Sequence, residues 1–259
     1  MKIVVLVKQV PDTAADPRLD PATLTVDRAA VDGLINQMDE YAVEEALQLI
    51  EKHGGEITVV SMGPDDATDG YKKALQMGAD KAVFLSDPAL AGSDSLATSY
   101  ALAQVIGALE YDLILLGSEA SDARTSMVPA MLAERLGLPQ LTFANKVTVD
   151  GDKITINRLT DTGHDVVEAA LPALVSVVET INEPRYPSFK GIMAAKKKPV
   201  DTLDLAGASI DPERAGWAGS RTKVLTAAVA PPRSKGVIVS DEGEGGKQLA
   251  EFLASKKFI

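Results

Sequence analysis

Four short apolar runs, Ile3 to Val7, Ile57 to Ser61, Ala82 to Leu85 and Leu113 to Leu116, recur along the chain with helical patterns between them, and this alternation most restricts the fold. A run that is apolar at nearly every position needs cover on both faces of its strand, which is the condition of a parallel sheet between two helix layers. The first intervening helix is the clearest. Val43, Ala46, Leu47 and Ile50 fall at helical spacing, Glu44, Glu45, Gln48 and Glu51 take the other face, and His53 and Gly54 close it. Ala67 to Met77, Ser95 to Leu109 and Ser126 to Leu136 are the next helix candidates. The order predicts an α/β fold with a doubly wound, mainly parallel sheet.

Beyond Pro139 the period shifts toward two. Lys146 to Val149 and Lys153 to Asn157 flank Asp150 and Gly151, a hairpin signal that predicts a small antiparallel section. Val175 to Glu179 is expected to return to the main sheet. From about Val200 the periodicity fades, and Asp, Gly and Pro are scattered through 201–233, which reads as an extended C-terminal tail lying on something else. Gln248 to Lys256, with Leu249, Phe252 and Leu253 on one face, predicts a last helix opened by a glycine-rich turn. Its docking surface, on this chain or on a partner, is left open by the pattern.

At 259 residues and 46% hydrophobic content the chain can bury a full core, and with only 4% aromatics that core is aliphatic. A net charge of -11 repels a phosphate backbone, so nucleic acid is a poor partner. The absence of cysteine excludes disulfides, thiolate metal sites and cysteine nucleophiles. Lys8 and Gln9 cut the opening apolar run short of a signal-peptide core, and no stretch has membrane-spanning length. A soluble, cytoplasmic protein that is not membrane-embedded is expected.

His53 and His164 have no neighbours at metal-ligand spacing, and no hydrolase, zinc-protease, Walker A or dinucleotide-fingerprint motif is present. What remains is the crevice at the carboxyl ends of the parallel strands, where ligands lie in doubly wound sheets. Three loops are expected to converge there: Lys8 to Thr13, Ser61 to Pro64, and Gly117 to Ser126. The last opens a helix, so its free amides, the Thr125 and Ser126 hydroxyls and Arg124 suit a phosphate. Asp122, Thr125 and Ser126 serve equally well as helix caps, and both readings stand at this point.

The segment 182–199, NEPRYPSFKGIMAAKKKP, has the form of a projecting arm. Pro184 and Pro187 drive their predecessors toward extended geometry, and a short amphipathic piece follows, closed by three lysines and Pro199. A surface loop with a solvated lysine face has the same pattern. The order of residues in this segment, together with KIVVLVKQVPDT, AVEEAL, ALQMGADKA and LGLPQLTFA elsewhere, closely resembles the electron transfer flavoprotein beta subunit along the whole chain.

The resemblance implies an electron carrier rather than an enzyme, working in fatty acid oxidation. It implies a division into a nucleotide-binding domain, 1–199, which includes the arm 182–199, and a tail, 200–259, packing on an alpha subunit. It implies AMP held by Leu6, Asn36, Gln37, Met38, Asp39, Met62, Gly117, Ser118, Glu119, Ala120, Ser121, Asp122, Ala123, Arg124, Thr125, Ser126, Met127 and Val128. Thr13 is expected near an FAD shared with the alpha subunit. The arm residues Arg185, Tyr186, Phe189, Ile192 and Met193 are expected to meet acyl-CoA dehydrogenases as electron donors, with a membrane quinone oxidoreductase as downstream acceptor. The chain departs from relatives at Met127, often glutamine, at Thr13, often aromatic, at Phe189, often leucine, and at Leu159, in some a glutamate. Asp122, Thr125, Val128 and Pro129 also match members that hold a second FAD in place of AMP, so an electron-bifurcating subunit oxidising NADH is the alternative.

Overall fold

The computed structural model describes residues 1–259 except Pro17, Val229, Ser234, Lys235, Val237 and Val239. In chain order the elements are β1 (Lys2–Leu6), β2 (Gln9–Pro11), β3 (Gly33–Ile35), α1 (Gln37–His53), β4 (Glu56–Met62), α2 (Asp69–Met77), β5 (Lys81–Leu85), α3 (Ser95–Gly107) and β6 (Leu113–Gly117). They continue as α4 (Val128–Leu136), β7 (Gln140–Asp150), β8 (Lys153–Thr160), β9 (Gly163–Ala170), β10 (Ala173–Val177), α5 (Phe189–Ala195), β11 (Val200–Leu203), α6 (Gly216–Gly219) and α7 (Gly245–Ser255).

The main sheet runs β11-β5-β4-β1-β6-β10-β7-β8-β9. Every pairing from β11 to β7 is parallel, and β8 and β9 are added antiparallel. This is the α/β, doubly wound arrangement that the alternating runs predict. β1 explains why Ile3 to Leu6 are all apolar. Ile3 and Val5 point into the layer of α1 and α2, beside Val43, Leu47 and Leu75, whereas Val4 points into the layer of α3 and α4, beside Ala101, Ile106 and Leu132. Each such fully buried aliphatic side chain contributes about 1.5–3 kcal/mol relative to exposure, which favours apolar residues on both faces of this strand.

The Asp150-Gly151 signal corresponds to the β7–β8 hairpin, with Asp150 paired to Lys153 and Gly151 at φ 60°, a left-handed value that glycine takes without strain. Strand β9, paired to β8 along its length, was not foreseen, nor was the β2–β3 pair, because strands of three residues are too short for a period to register. Residues 200–224, expected as the start of a tail, instead supply edge strand β11 against β5, and then turns that bury Leu205, Ala208, Ile210 and Ala215 in the α3 layer. Spaced apolar residues within turns carry no periodicity, which is why that stretch reads as a tail.

Leu225–Ile259 is a second compact unit, and its helix α7 carries Leu249, Phe252 and Leu253 at helical spacing. Among the described residues no helix is long and apolar enough to cross a membrane.

Candidate functional site: a crevice at the switch point and an arm on the same helix

The chain leaves β1 toward β4 and β5 on one side and returns through β6 on the other, so the loops after β1 and β6 part and open a crevice at their carboxyl ends. Asp39, in the first turn of α1, holds the two lips of that crevice together. Its Oδ2 accepts from the Lys8 amide at 2.8 Å and its Oδ1 from the Gly117 amide at 3.2 Å. Burial pushes the Asp39 carboxyl up to about 7, against the lowering effect of hydrogen bonds from Asn36 and the two amides. Gly117 permits this approach, since a Cβ there would lie 2.5 Å from both Asp39 Oδ1 and the Met38 Cβ.

Asn36 fastens the loop after β6 from the other direction. Its Nδ2 donates to the Glu119 carbonyl at 2.9 Å, and its Oδ1 accepts from the Ser121 amide at 3.1 Å. Asp122, its side chain only 2% exposed, accepts from Lys8 Nζ at 2.9 Å and from an Arg28 guanidinium nitrogen at 2.5 Å. Burial alone would raise the Asp122 carboxyl, but the charges of Lys8 and Arg28 outweigh it and hold the group below its ordinary range. Arg28 reaches in from the excursion between β2 and β3 and carries no sequence signal; Lys8 reads only as a loop residue. Side-chain pairing across 94 residues of chain leaves no local pattern to read.

The end of this loop is shaped for an anion. Arg124 and Ser126 adopt left-handed backbone angles, φ 47° and 51°, and the amides of Thr125, Ser126, Met127 and Val128 make no hydrogen bond among the described residues. Free amides at the start of a helix, beside the exposed Arg124, are where a phosphate gains most. The helix-cap alternative is not realised. The N-cap of α4 is Met127, with no side-chain cap bond, while Ser126 donates to Glu119 Oε2 at 2.9 Å and Thr125 accepts from Ser95 at 3.3 Å.

The remaining candidate residues fall around this centre. Leu6 and Ser118 are buried at the ends of β1 and β6, with the Ser118 amide bonded to the Val177 carbonyl, and Met62 and Val128 are half-buried against the α3 layer. Ala120 accepts from the Ala123 and Arg124 amides, closing the loop's turn. Gln37, Ala123 and Met127 are exposed. At the end of β4 the Ser61 hydroxyl is buried without a partner among the described residues, next to Met62, where it suits an arriving polar group. Thr13 is exposed in the excursion after β2.

The arm is built on the same helix. Asn182 Nδ2 donates to the Tyr41 carbonyl and to Glu45, both at 3.1 Å, and Arg185 forks onto Glu44 while a third nitrogen reaches Glu51 at 2.5 Å. Ser188 caps α5 by accepting from the Gly191 amide, and α5 lies so close to α2 that a Cβ on Gly191 would sit 2.5 Å from the Gln76 carbonyl. Lys198 donates to the Leu75 carbonyl at 2.9 Å. With its base clamped, the arm turns Tyr186 and Phe189 outward, 92% and 81% exposed, with Ile192 and Met193 also exposed beside them. These four large apolar side chains form one unburied cluster on the arm.

Crevice and arm together define a doubly wound α/β protein with unbonded amides at its switch point and an exposed apolar arm. The family model for the electron transfer flavoprotein domain matches residues 23–208. The chain is 48% identical over 263 residues to the electron transfer flavoprotein subunit beta of Mycobacterium tuberculosis, covering 99% of each. It is 42% identical to that of Megasphaera elsdenii, with full coverage of both, and 35% identical to the caffeyl-CoA reductase-Etf complex subunit CarD of Acetobacterium woodii, over 99% of this chain and 97% of that one. The chain belongs to the electron transfer flavoprotein beta subunit family, a family of electron-transfer proteins.

Proposed function

We propose that this chain is the beta half of a cytoplasmic electron transfer flavoprotein. It pairs with an alpha subunit that holds most of a shared FAD, takes electrons from acyl-CoA dehydrogenases through that flavin and passes them toward a membrane quinone oxidoreductase. FAD supplies the one- and two-electron chemistry when bound; the residues of this chain bind, orient and shield. The observation that carries the reading is the row of four free amides at Thr125–Val128 beside Arg124, at the switch point whose two loops Asp39 and Asn36 fasten.

In this reading those amides receive the phosphate of AMP, the adenine side lies toward Leu6, Met62 and the Asn36–Asp39 turn, and Thr13 borders the flavin of the alpha subunit. The nucleotide has a structural task, to stiffen the platform on which α1 carries the arm. Residues 1–199 then form the nucleotide domain with its arm, and the C-terminal part of 200–259 reaches the alpha subunit. Tyr186, Phe189, Ile192 and Met193 enter an apolar pocket of the dehydrogenase, with Arg185 setting their base.

A second reading keeps the same site and puts a second FAD in it, reduced by NADH, with electrons divided between two acceptors. The Asp122, Thr125, Val128 and Pro129 pattern favours it, as does the relative named for a reductase complex. Co-purification with the alpha chain and mass identification of every bound nucleotide decides between them. One FAD with one AMP supports the carrier, two FAD the bifurcating subunit, and a chain that purifies alone without adenylate overturns both.

A further inference from the structure

A second charged feature lies in the α3 layer, away from the face of the sheet that carries α1 and the arm. Arg135, Arg214 and Arg221 surround a pocket of about 160 Å³ whose floor is Tyr100. Two of the guanidinium groups are held in place. Arg214 stacks 3.8 Å above the Tyr100 ring; Arg135, 5.8 Å from it, donates Nε to the Ser99 hydroxyl at 2.9 Å and a terminal nitrogen to the Leu96 carbonyl at 3.1 Å. Tyr100 is fixed in turn, since its hydroxyl accepts from the Asp211 amide at 3.2 Å.

The charges are unanswered. In a chain of net charge -11, none of the three arginines forms an ion pair among the described residues. Glu213 lines the pocket without bridging to them, and Asp94 is engaged by the amides of Ala97 and Arg221. Leu96, 41% exposed, and Ala97 add an apolar part to the lining. Arginine and tyrosine, the residues around this concavity, are enriched among those that carry most of the energy in protein interfaces, and fixed guanidinium forks recognise carboxylates bidentately.

We propose that this pocket is the socket for a carboxylate side chain, Asp or Glu, projecting from the alpha subunit. The proposal rests on the pairing proposed above and adds where one anchor of that pairing lies. Charge complementarity selects an acidic occupant. The arm, held on α1 and α2 on the opposite face of the sheet, is left free for a different protein.

The test compares the affinity of the full chain for its alpha subunit, by sedimentation at low and high salt, in the wild type, Arg214→Glu and Arg221→Glu. The Arg221 side chain makes no hydrogen bond within the chain among the described residues, so its variant tests the pocket without disturbing Tyr100, and thermal melting confirms folding. The expected result is an affinity about 10–100-fold lower in both variants at low salt, a gap that narrows as salt screens the pair. Wild-type affinity in a folded Arg221→Glu chain overturns the socket and leaves the pairing intact. A wild-type chain that does not bind the alpha subunit overturns both. Inorganic phosphate bound by the wild type and lost in Arg221→Glu, with subunit affinity unchanged, reassigns the pocket to a small anion and overturns the docking role.

Discussion

Arg185 and Glu44 form a two-pronged ion pair, Nε to Oε2 at 2.7 Å and a terminal nitrogen to Oε1 at 2.9 Å, that ties the base of the arm to the middle of α1. The Glu44 side chain is 5% exposed, so burial raises its carboxyl; the bonds from Arg185 and Gln48 and the Arg185 charge outweigh that and hold it below the ordinary range. The helix whose first turn closes the crevice therefore also carries the arm.

Glu44→Gln is expected to cost about 1–2 kcal/mol, since one buried partner of a charge pair is lost while Glu51 still answers Arg185 from the exposed side. Urea unfolding measures the loss, and limited trypsin digestion near Lys190 should quicken. Because the Glu44 carboxyl is held low, its contribution is present above the unfolded carboxylate range and is lost as pH falls through the folded value. Arm release on acidification should therefore be seen in the wild type and be absent in the variant.

Phe189→Ala removes an 81% exposed ring that packs on nothing essential to the fold, so stability should change by less than about 0.5 kcal/mol. Electron acceptance from the dehydrogenase, followed by stopped-flow with the reconstituted heterodimer, should fall several-fold with the flavin spectrum unaltered. Full turnover in this variant would remove the arm from the docking role.

Asp39 works in the opposite sense to Glu44. Its folded carboxyl is raised to about 7 by burial, from an ordinary value of 3.8, so the folded state binds the extra proton between those values. Stability of the chain freed of nucleotide should accordingly fall as pH rises from about 4 to about 7, then level off as far as this group is concerned. Asp39→Asn should flatten that slope. It should also cost about 1–3 kcal/mol above about pH 7, where the carboxylate accepts from the Lys8 and Gly117 amides with both oxygens and an amide side chain offers only one acceptor. A titration series of thermal melts reads both effects.

Gly191→Ala places a methyl group 2.5 Å from the Gln76 carbonyl, a contact that only a shift of α5 away from α2 relieves. Stability should drop by about 1–3 kcal/mol. Partner turnover should drop with it, while the nucleotide content, set at the other end of α1, stays at the wild-type level.

The fold was legible because strand burial on two faces writes itself into composition. Runs such as Ile3 to Val7 and Leu113 to Leu116 have no polar position to confuse the period, and Asp150-Gly151 is a local turn requirement. The candidate loops were legible for a related reason, since a doubly wound sheet presents its ligands at strand ends wherever those ends fall. Strand β9 was not, for it is mostly exposed and shows no clear apolar alternation, and neither were the turns of 204–224, whose apolar residues meet partners far along the chain.

The amino-acid order alone determined the layered α/β architecture, the helix that α1 forms and the loops that reach one edge of the sheet, because all of these follow from local period and turn chemistry. Only the tertiary structure decided that Asp39 bridges Lys8 to Gly117, that Asp122 gathers Lys8 and Arg28, and that Arg185 lands on Glu44 rather than on solvent. A buried carboxylate must find its donors wherever folding brings them, and sequence distance puts no limit on which donors those are.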